Sequence, residues 1–176
     1  MYSPAKIANS LIRIARKYKT NLDPLKLQKI IYFAHCKSLV EHNKILVTEP
    51  FHAFSFGPLI TSIYHEYKKY GNNPVDHYTS ELVMDGEDNL KWEVFFVPEN
   101  DLQITQILND TFDKYSNYSG SALAKMTHVQ NGPWFNTFAQ GLKEGINNGK
   151  EISNRDIKNH ASLQLEIYDS IPANVN

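Results

Sequence analysis

At Ser3-Pro4, Asp23-Pro24, Gly57-Pro58 and Gly132-Pro133 a residue able to cap a helix stands directly before a proline. A cap satisfies orphan N–H groups of the first helical turn, and proline is tolerated there because its own missing N–H is not needed. Each pair therefore predicts a helix start, and apolar residues recur at helical spacing behind each one. After Pro4 come Ile7, Leu11, Ile14, Ala15 and Tyr18, predicting a helix that ends near Lys19. After Pro24, the run LKLQKIIYFAHCKSLVEH carries Leu27, Ile30, Ile31 and Ala34 on one side, widened by Tyr32 and Phe33, so this helix is expected to be central. After Pro58 come Ile60, Ile63, Tyr64 and Tyr67, with Gly71 as the stop. After Pro133 come Trp134, Phe135, Phe138 and Leu142.

The middle of the chain changes period. TSELVM and LKWEVFFV flank DGEDN, which predicts an antiparallel hairpin with Trp92, Val94 and Phe96 on one face. PFHAFSFG alternates weakly and reads as a short strand or an irregular ordered segment. Helical spacing returns with Ile104, Ile107, Leu108, Phe112 and Tyr115, and a shorter helix is expected at Ser121–Thr127. A last helix opens at Ser153, with Asp156 in a capping-box-like position and a stripe of Ile157, Ala161, Leu165 and Tyr168. No repeat or linker divides the chain. The predicted fold is mainly α with a small antiparallel β-hairpin or sheet (α+β), a compact single-domain helical bundle over residues 1–170, with 171–176 a frayed tail.

Several function classes are disfavoured at this level. No apolar run approaches the ~18 residues of a membrane span. The N-terminal segment is broken by Asn9, Ser10, Arg13 and Arg16, so it does not read as a signal peptide. A lone cysteine, Cys36, allows no internal disulfide. These features point to the cytoplasm. The net charge of −1 hides an asymmetry: residues 1–70 hold eleven Lys and Arg against four Asp and Glu, whereas residues 71–176 hold seven against fifteen. Asp76, Glu81, Asp85, Glu87, Asp88, Glu93, Glu99 and Asp101 face Lys91 alone in the stretch 76–101. An acidic hairpin fits a basic partner, and the simpler alternative is two solvated faces that partly neutralise each other.

Catalytic and metal motifs are sparse. The seven histidines are scattered, and His35 and His42 stand two helical turns apart, about 10 Å by helical rise. Neither a metal nor any other cofactor is expected. Cys36 follows His35 directly, and adjacent helical residues do not face each other. No phosphate loop and no nucleophile elbow are present. His128 in THVQNGPW is read as a histidine whose nitrogens satisfy neighbouring backbone groups, in preference to a catalytic one, because no acid or nucleophile stands at a readable spacing. No catalytic residue and no enzymatic activity are expected. Arg13, Arg16, Lys17, Lys19, Lys26 and Lys29 on the first two helices offer a nucleic-acid surface, but Ile30-Ile31-Tyr32-Phe33-Ala34 makes the second helix too apolar for a recognition helix.

Two blocks, LDPLKLQKIIYFAHCKSLVEHNKILVTEPFHAFSFGPLITSIYHEY and ALAKMTHVQNGPW, taken in this order, resemble the Panacea domain found in phage-associated proteins and SocA-like antitoxins. The matching positions are Leu27, Lys29, Tyr32, Phe33, Phe56, Gly57, Pro58, Tyr64, Thr127, His128, Pro133 and Trp134. The resemblance implies an antitoxin that pairs with a toxin encoded nearby and neutralises it by direct protein contact. The SocA-like branch implies an alternative, delivery of the toxin to a protease as an adaptor; a nucleic-acid-binding phage or prophage regulator is a further one. Relatives with an added DNA-binding domain regulate themselves, which is not expected of this chain. Most motif positions read as core and capping residues, so partner recognition is expected elsewhere. The acidic hairpin residues Glu81, Asp85, Glu87 and Asp88 are the candidates, since toxins acting on polyphosphate substrates expose basic sites.

Overall fold

A computed structural model describes residues 1–86 and 89–169, with side chains as far as residue 161. Helix α1 spans Pro4–Lys17 and α2 spans Pro24–His42, each with proline in its first turn. Ser3 and Asp23 cap them by accepting the N–H groups of Lys6 and Lys26. Strands β1 (Phe51–Phe54) and β2 (Gly57–Leu59) form a tight antiparallel hairpin. Helix α3 (Thr61–Tyr67) runs on into a 3-10 turn at Lys68–Tyr70. Strands β3 (Glu81–Met84) and β4 (Leu90–Glu93) make the second hairpin. Helices α4 (Leu102–Tyr115), α5 (Gly120–Thr127) and α6 (Pro133–Lys143) follow, then strand β5 (Lys150–Ile152) and helix α7 (Asn154–Asp169).

The architecture is mainly α with two small antiparallel sheets. Helix α2 lies at its centre, packed against α1, α3, α4, α5 and α7. Every residue from Lys26 to Cys36 is buried, which is why its polarity pattern shows no clear face. The α4 stripe Ile104, Ile107, Leu108, Phe112 and Tyr115 is buried as the spacing predicts. So are Ile157 and Ala161 of α7, which Ser153 caps through the N–H of Asp156. The side chains of Leu165 and Tyr168, and the tail from Ile171, lie outside the described residues.

Three expectations need correction. Gly57-Pro58 starts no helix; it begins strand β2, and α3 opens at Thr61. Gly57 has φ +92°, whereas a cap residue needs extended backbone, as Gly132 has with φ −73°. Pro58 fits because β2 is an edge strand in the order β2-β1-β5. Strand β5 is the second difference: Lys150–Ile152 is short and polar, and only its distant partner β1 defines it. Third, Tyr18, Phe135 and Leu142 turn outward, with Tyr18 54% exposed and Leu142 50% exposed.

Among the described residues no helix is long and apolar enough to cross a membrane. No group of His, Cys, Asp and Glu among them is arranged to hold a metal ion.

Candidate functional site

The motif positions, far apart in sequence, meet around the β1–β2 turn. Lys29 is 1% exposed, and its ammonium donates to the Pro58 carbonyl at 2.7 Å. Its neighbour Gln28 donates its amide to the Ile60 carbonyl at 3.0 Å and accepts the Ile60 N–H at 2.9 Å. Together they cover the free edge of β2 from the α2 side, where an exposed edge would otherwise pair with another chain. Thr127 ends α5 fully buried, its hydroxyl donating to Ala124. A Cβ at Gly57 would stand 2.4 Å from Thr127 Oγ1 and 3.0 Å from Lys29 Nζ, so only glycine fits this crossing. Pro133 starts α6 and sets Trp134, whose indole N–H donates to the Phe54 carbonyl at 2.8 Å. Leu27, Tyr32 and Phe33 form the floor: Tyr32 meets Phe51 edge-on at 5.1 Å, and Phe33 stacks on Tyr115 at 4.4 Å.

His128 is held differently from the sequence reading. Its ring stacks on Trp134 at 3.7 Å and 12°, while Nε2 is buried with no hydrogen-bond partner. Stacking and the backbone N–H to Lys125 hold this turn; Nε2 satisfies no backbone group. Burial, then the Lys29 charge, push the imidazole pKa below its ordinary value, favouring the neutral ring. Burial also brings the Lys29 pKa down to about 7. On the next turns of α2, His35 donates Nε2–H to Asn154 at 2.8 Å, and burial lowers its pKa to about 4. Cys36 is buried and its thiol is pushed up to about 12, chiefly by desolvation, which suits a packing role.

Two motif residues are not core. Phe56, at the tip of the turn, is 73% exposed, and Tyr64 on α3 is 43% exposed. Beside them lies a cavity of about 520 Å³ between α2, the β1–β2 turn and α3. Sequence pattern could not separate these two aromatics from the buried ones, since both obey the local period.

The second candidate surface is the β3–β4 hairpin. Its legs dock on α1: Asn9 donates to the carbonyls of Thr79 and Phe95 and accepts the Thr79 N–H, and Ser10 accepts the Val97 N–H. Beyond the legs, Leu82 pairs with Trp92 and Met84 with Leu90, so all four side chains share one face. They are 48%, 70%, 64% and 65% exposed respectively. Trp92 thus belongs to a solvent-facing surface; Phe96, nearer the body, meets Tyr78 at 5.0 Å. Glu81 stands directly opposite Glu93, and Lys91 on the same strand pairs with Glu93 at 3.5 Å. Asp85 closes the turn by accepting the Asn89 N–H. Glu87 and Asp88 lie outside the described residues.

The basic residues do not make one open face. Lys26 and Lys29 are buried. Arg13 lies over Phe96 at 4.5 Å and pairs with Glu99 at 3.9 Å, while Arg16 lies over Tyr78 at 4.2 Å and donates to the Asp76 carbonyl. The acidic segment therefore lies across the basic face of α1, while Lys17, over Tyr18 at 5.5 Å, and Lys19 are exposed beyond it.

Residues 27–135, which span the buried node, the turn and the hairpin, match the family described as "Antitoxin SocA-like, Panacea domain". The chain belongs to this family. A curated relative, "Antitoxin SocA" of Caulobacter vibrioides (strain NA1000 / CB15N), is 27% identical over 166 residues, covering 94% of this chain and 85% of the relative. No solved structure matches the chain.

Proposed function

We propose that this Panacea-domain protein is the antitoxin of a toxin–antitoxin pair and neutralises its toxin by direct protein contact through the β3–β4 hairpin. Membership of the SocA-like family and the similarity to a protein named as an antitoxin support the role. The observation that carries the surface is the uncovered apolar face of Leu82, Met84, Leu90 and Trp92. A contiguous exposed apolar patch marks an interaction site, and tryptophan is a residue type that anchors interfaces. The opposite face of the ladder specifies the partner's charge. Glu81 and Glu93 stand across from each other there, with Lys91 paired to Glu93, and a basic toxin surface that reaches round the hairpin relieves their repulsion.

The test is growth rescue with co-elution. The neighbouring open reading frame is induced alone and with this chain, and the co-expressed pair is run on a sizing column. Toxicity alone, with rescue and co-elution together, is the expected result. Trp92→Asp, and separately Glu81→Lys with Glu93→Lys, are expected to lose both while the protein stays folded by circular dichroism. Unchanged protection by these variants would remove the hairpin as the contact surface. Rescue without co-elution would favour delivery to a protease, and no toxicity would leave the antitoxin role unsupported.

A further inference from the structure

The cavity beside the β1–β2 turn has the construction of a second site. Its walls are Phe54, Phe56, Leu59 and Tyr64, its basic groups are Lys29 and Lys68, and among the described residues no Asp or Glu lines it. Phe54 and Tyr64 lie side by side at 6.5 Å and 29°, and Lys68 stands over the Tyr64 ring at 5.9 Å. Asn72 and Asn148 add side-chain amides of the kind that pair with a peptide backbone, and Gly71 presents no side chain to obstruct an approaching chain.

Phe56 is not exposed through slack. On one side of it Asn148 accepts the N–H and the hydroxyl of Ser55 at 2.8 and 2.9 Å. On the other, Gly57 is wedged against Thr127 and Lys29, and the Pro58 carbonyl is held by the Lys29 ammonium. The backbone of the turn is thus fixed before any partner arrives, and an aromatic presented from a fixed turn is an anchor whose backbone loses little entropy on binding. The exposed charge at the cavity is the Lys68 ammonium, and among the described residues no carboxylate lines it. Lys29 lies beneath, bonded to the Pro58 carbonyl and drawn by burial to a pKa of about 7, so it contributes less than a full charge.

We propose that this groove binds an extended acidic segment of a partner protein, with an aromatic or aliphatic side chain packed between Phe56 and Tyr64 and a flanking carboxylate on Lys68. The site goes beyond the hairpin reading. It selects the opposite charge, so a partner that meets both surfaces is read by two independent features.

Random short peptides displayed on phage, panned against the full chain, test this without any toxin. Failure here therefore leaves the antitoxin reading standing. Selected peptides should carry Asp or Glu beside Phe, Trp or Leu. Their synthetic forms should lose about tenfold in affinity on Phe56→Ala and on Lys68→Glu. Both substitutions are at exposed side chains and should leave the unfolding midpoint unchanged. Bound peptide should also shift the indole N–H resonance of Trp134, which donates to the Phe54 carbonyl at the groove wall. Trp92→Ala should bind as the wild type does. The proposal is overturned if no peptide is enriched, if neutral or basic peptides are, or if Phe56→Ala binds with unchanged affinity. Loss of binding on Trp92→Ala would move the site to the hairpin and equally overturn it.

Discussion

The β1–β2 turn and the β3–β4 hairpin both hold aromatic side chains out into water, but they are held in opposite ways. Around Phe56 the turn is locked by α2, α5, α6 and the segment leading into β5, through Lys29, Gln28, Thr127, Trp134 and Asn148. Around Trp92 the hairpin is held by its own ladder and closing turn, and only its legs reach the body of the protein. The first surface is costly to alter, because a change there disturbs packing across the domain. The second can change its outward side chains with little effect on the fold. Such a division suits a protein that keeps one scaffold while recognising a particular partner.

The largest expected effect tests that asymmetry at two glycines. Gly57→Ala places a Cβ 2.4 Å from Thr127 Oγ1 at a φ of +92° and should cost about 3 kcal/mol. Gly86→Ala, in the hairpin turn with nothing within 4 Å, should cost about 0.5 kcal/mol or less. Urea unfolding measures both, and equal losses would break the comparison.

Acid should loosen the two regions unequally. His35 packs on Phe51 of β1 at 5.1 Å and bonds to Asn154 at the start of α7. Its pKa is about 4 when folded and 6.5 ordinarily, so the unfolded chain binds the extra proton between those values. Stability should therefore fall as pH drops from about 6.5 to about 4, by up to ~3 kcal/mol from this group. His35→Gln should lessen that slope. The same slope in the variant would mean that other groups carry it. Hydrogen exchange on acidification should show α2 and β1 opening, with the β3–β4 ladder changing less.

A smaller effect is expected at the tryptophans. Trp134→Phe removes the indole N–H donor to Phe54 and should cost ~1 kcal/mol and loosen the turn. Trp92→Ser should change stability by no more than ~0.5 kcal/mol, yet weaken toxin protection. Thermal unfolding and growth rescue read on the same variants separate these outcomes. A large stability loss at Trp92 would show that the hairpin face is packed, contrary to its exposure.

Much of the scaffold was legible before folding. Ser3, Asp23 and Gly132 begin helices as read, and the apolar spacing of α2 and α4 located core residues. Gly57-Pro58 misled because the same dipeptide serves a cap and an edge strand, and only φ separates them. The acidic residues of the hairpin could be named from sequence. The apolar face behind them required the register, since Leu82, Met84, Leu90 and Trp92 align only once Leu82 is known to pair with Trp92. Phe56 and Tyr64 were named as motif residues, but their exposure was not visible in their spacing.

By itself the sequence determined the helix starts after Ser3, Asp23, Gly132 and Ser153, the buried stripe of α4, the second hairpin and the family. Those depend on caps, prolines and periodicity, which act over a few neighbouring residues. Tertiary structure alone decided that β5 joins β1, that Lys29 lies beneath Pro58, that Gly57 crosses Thr127, and that Phe56 stands in water. Each of these pairs or exposes groups through the packing of distant segments, and no local pattern encodes which distant segment arrives.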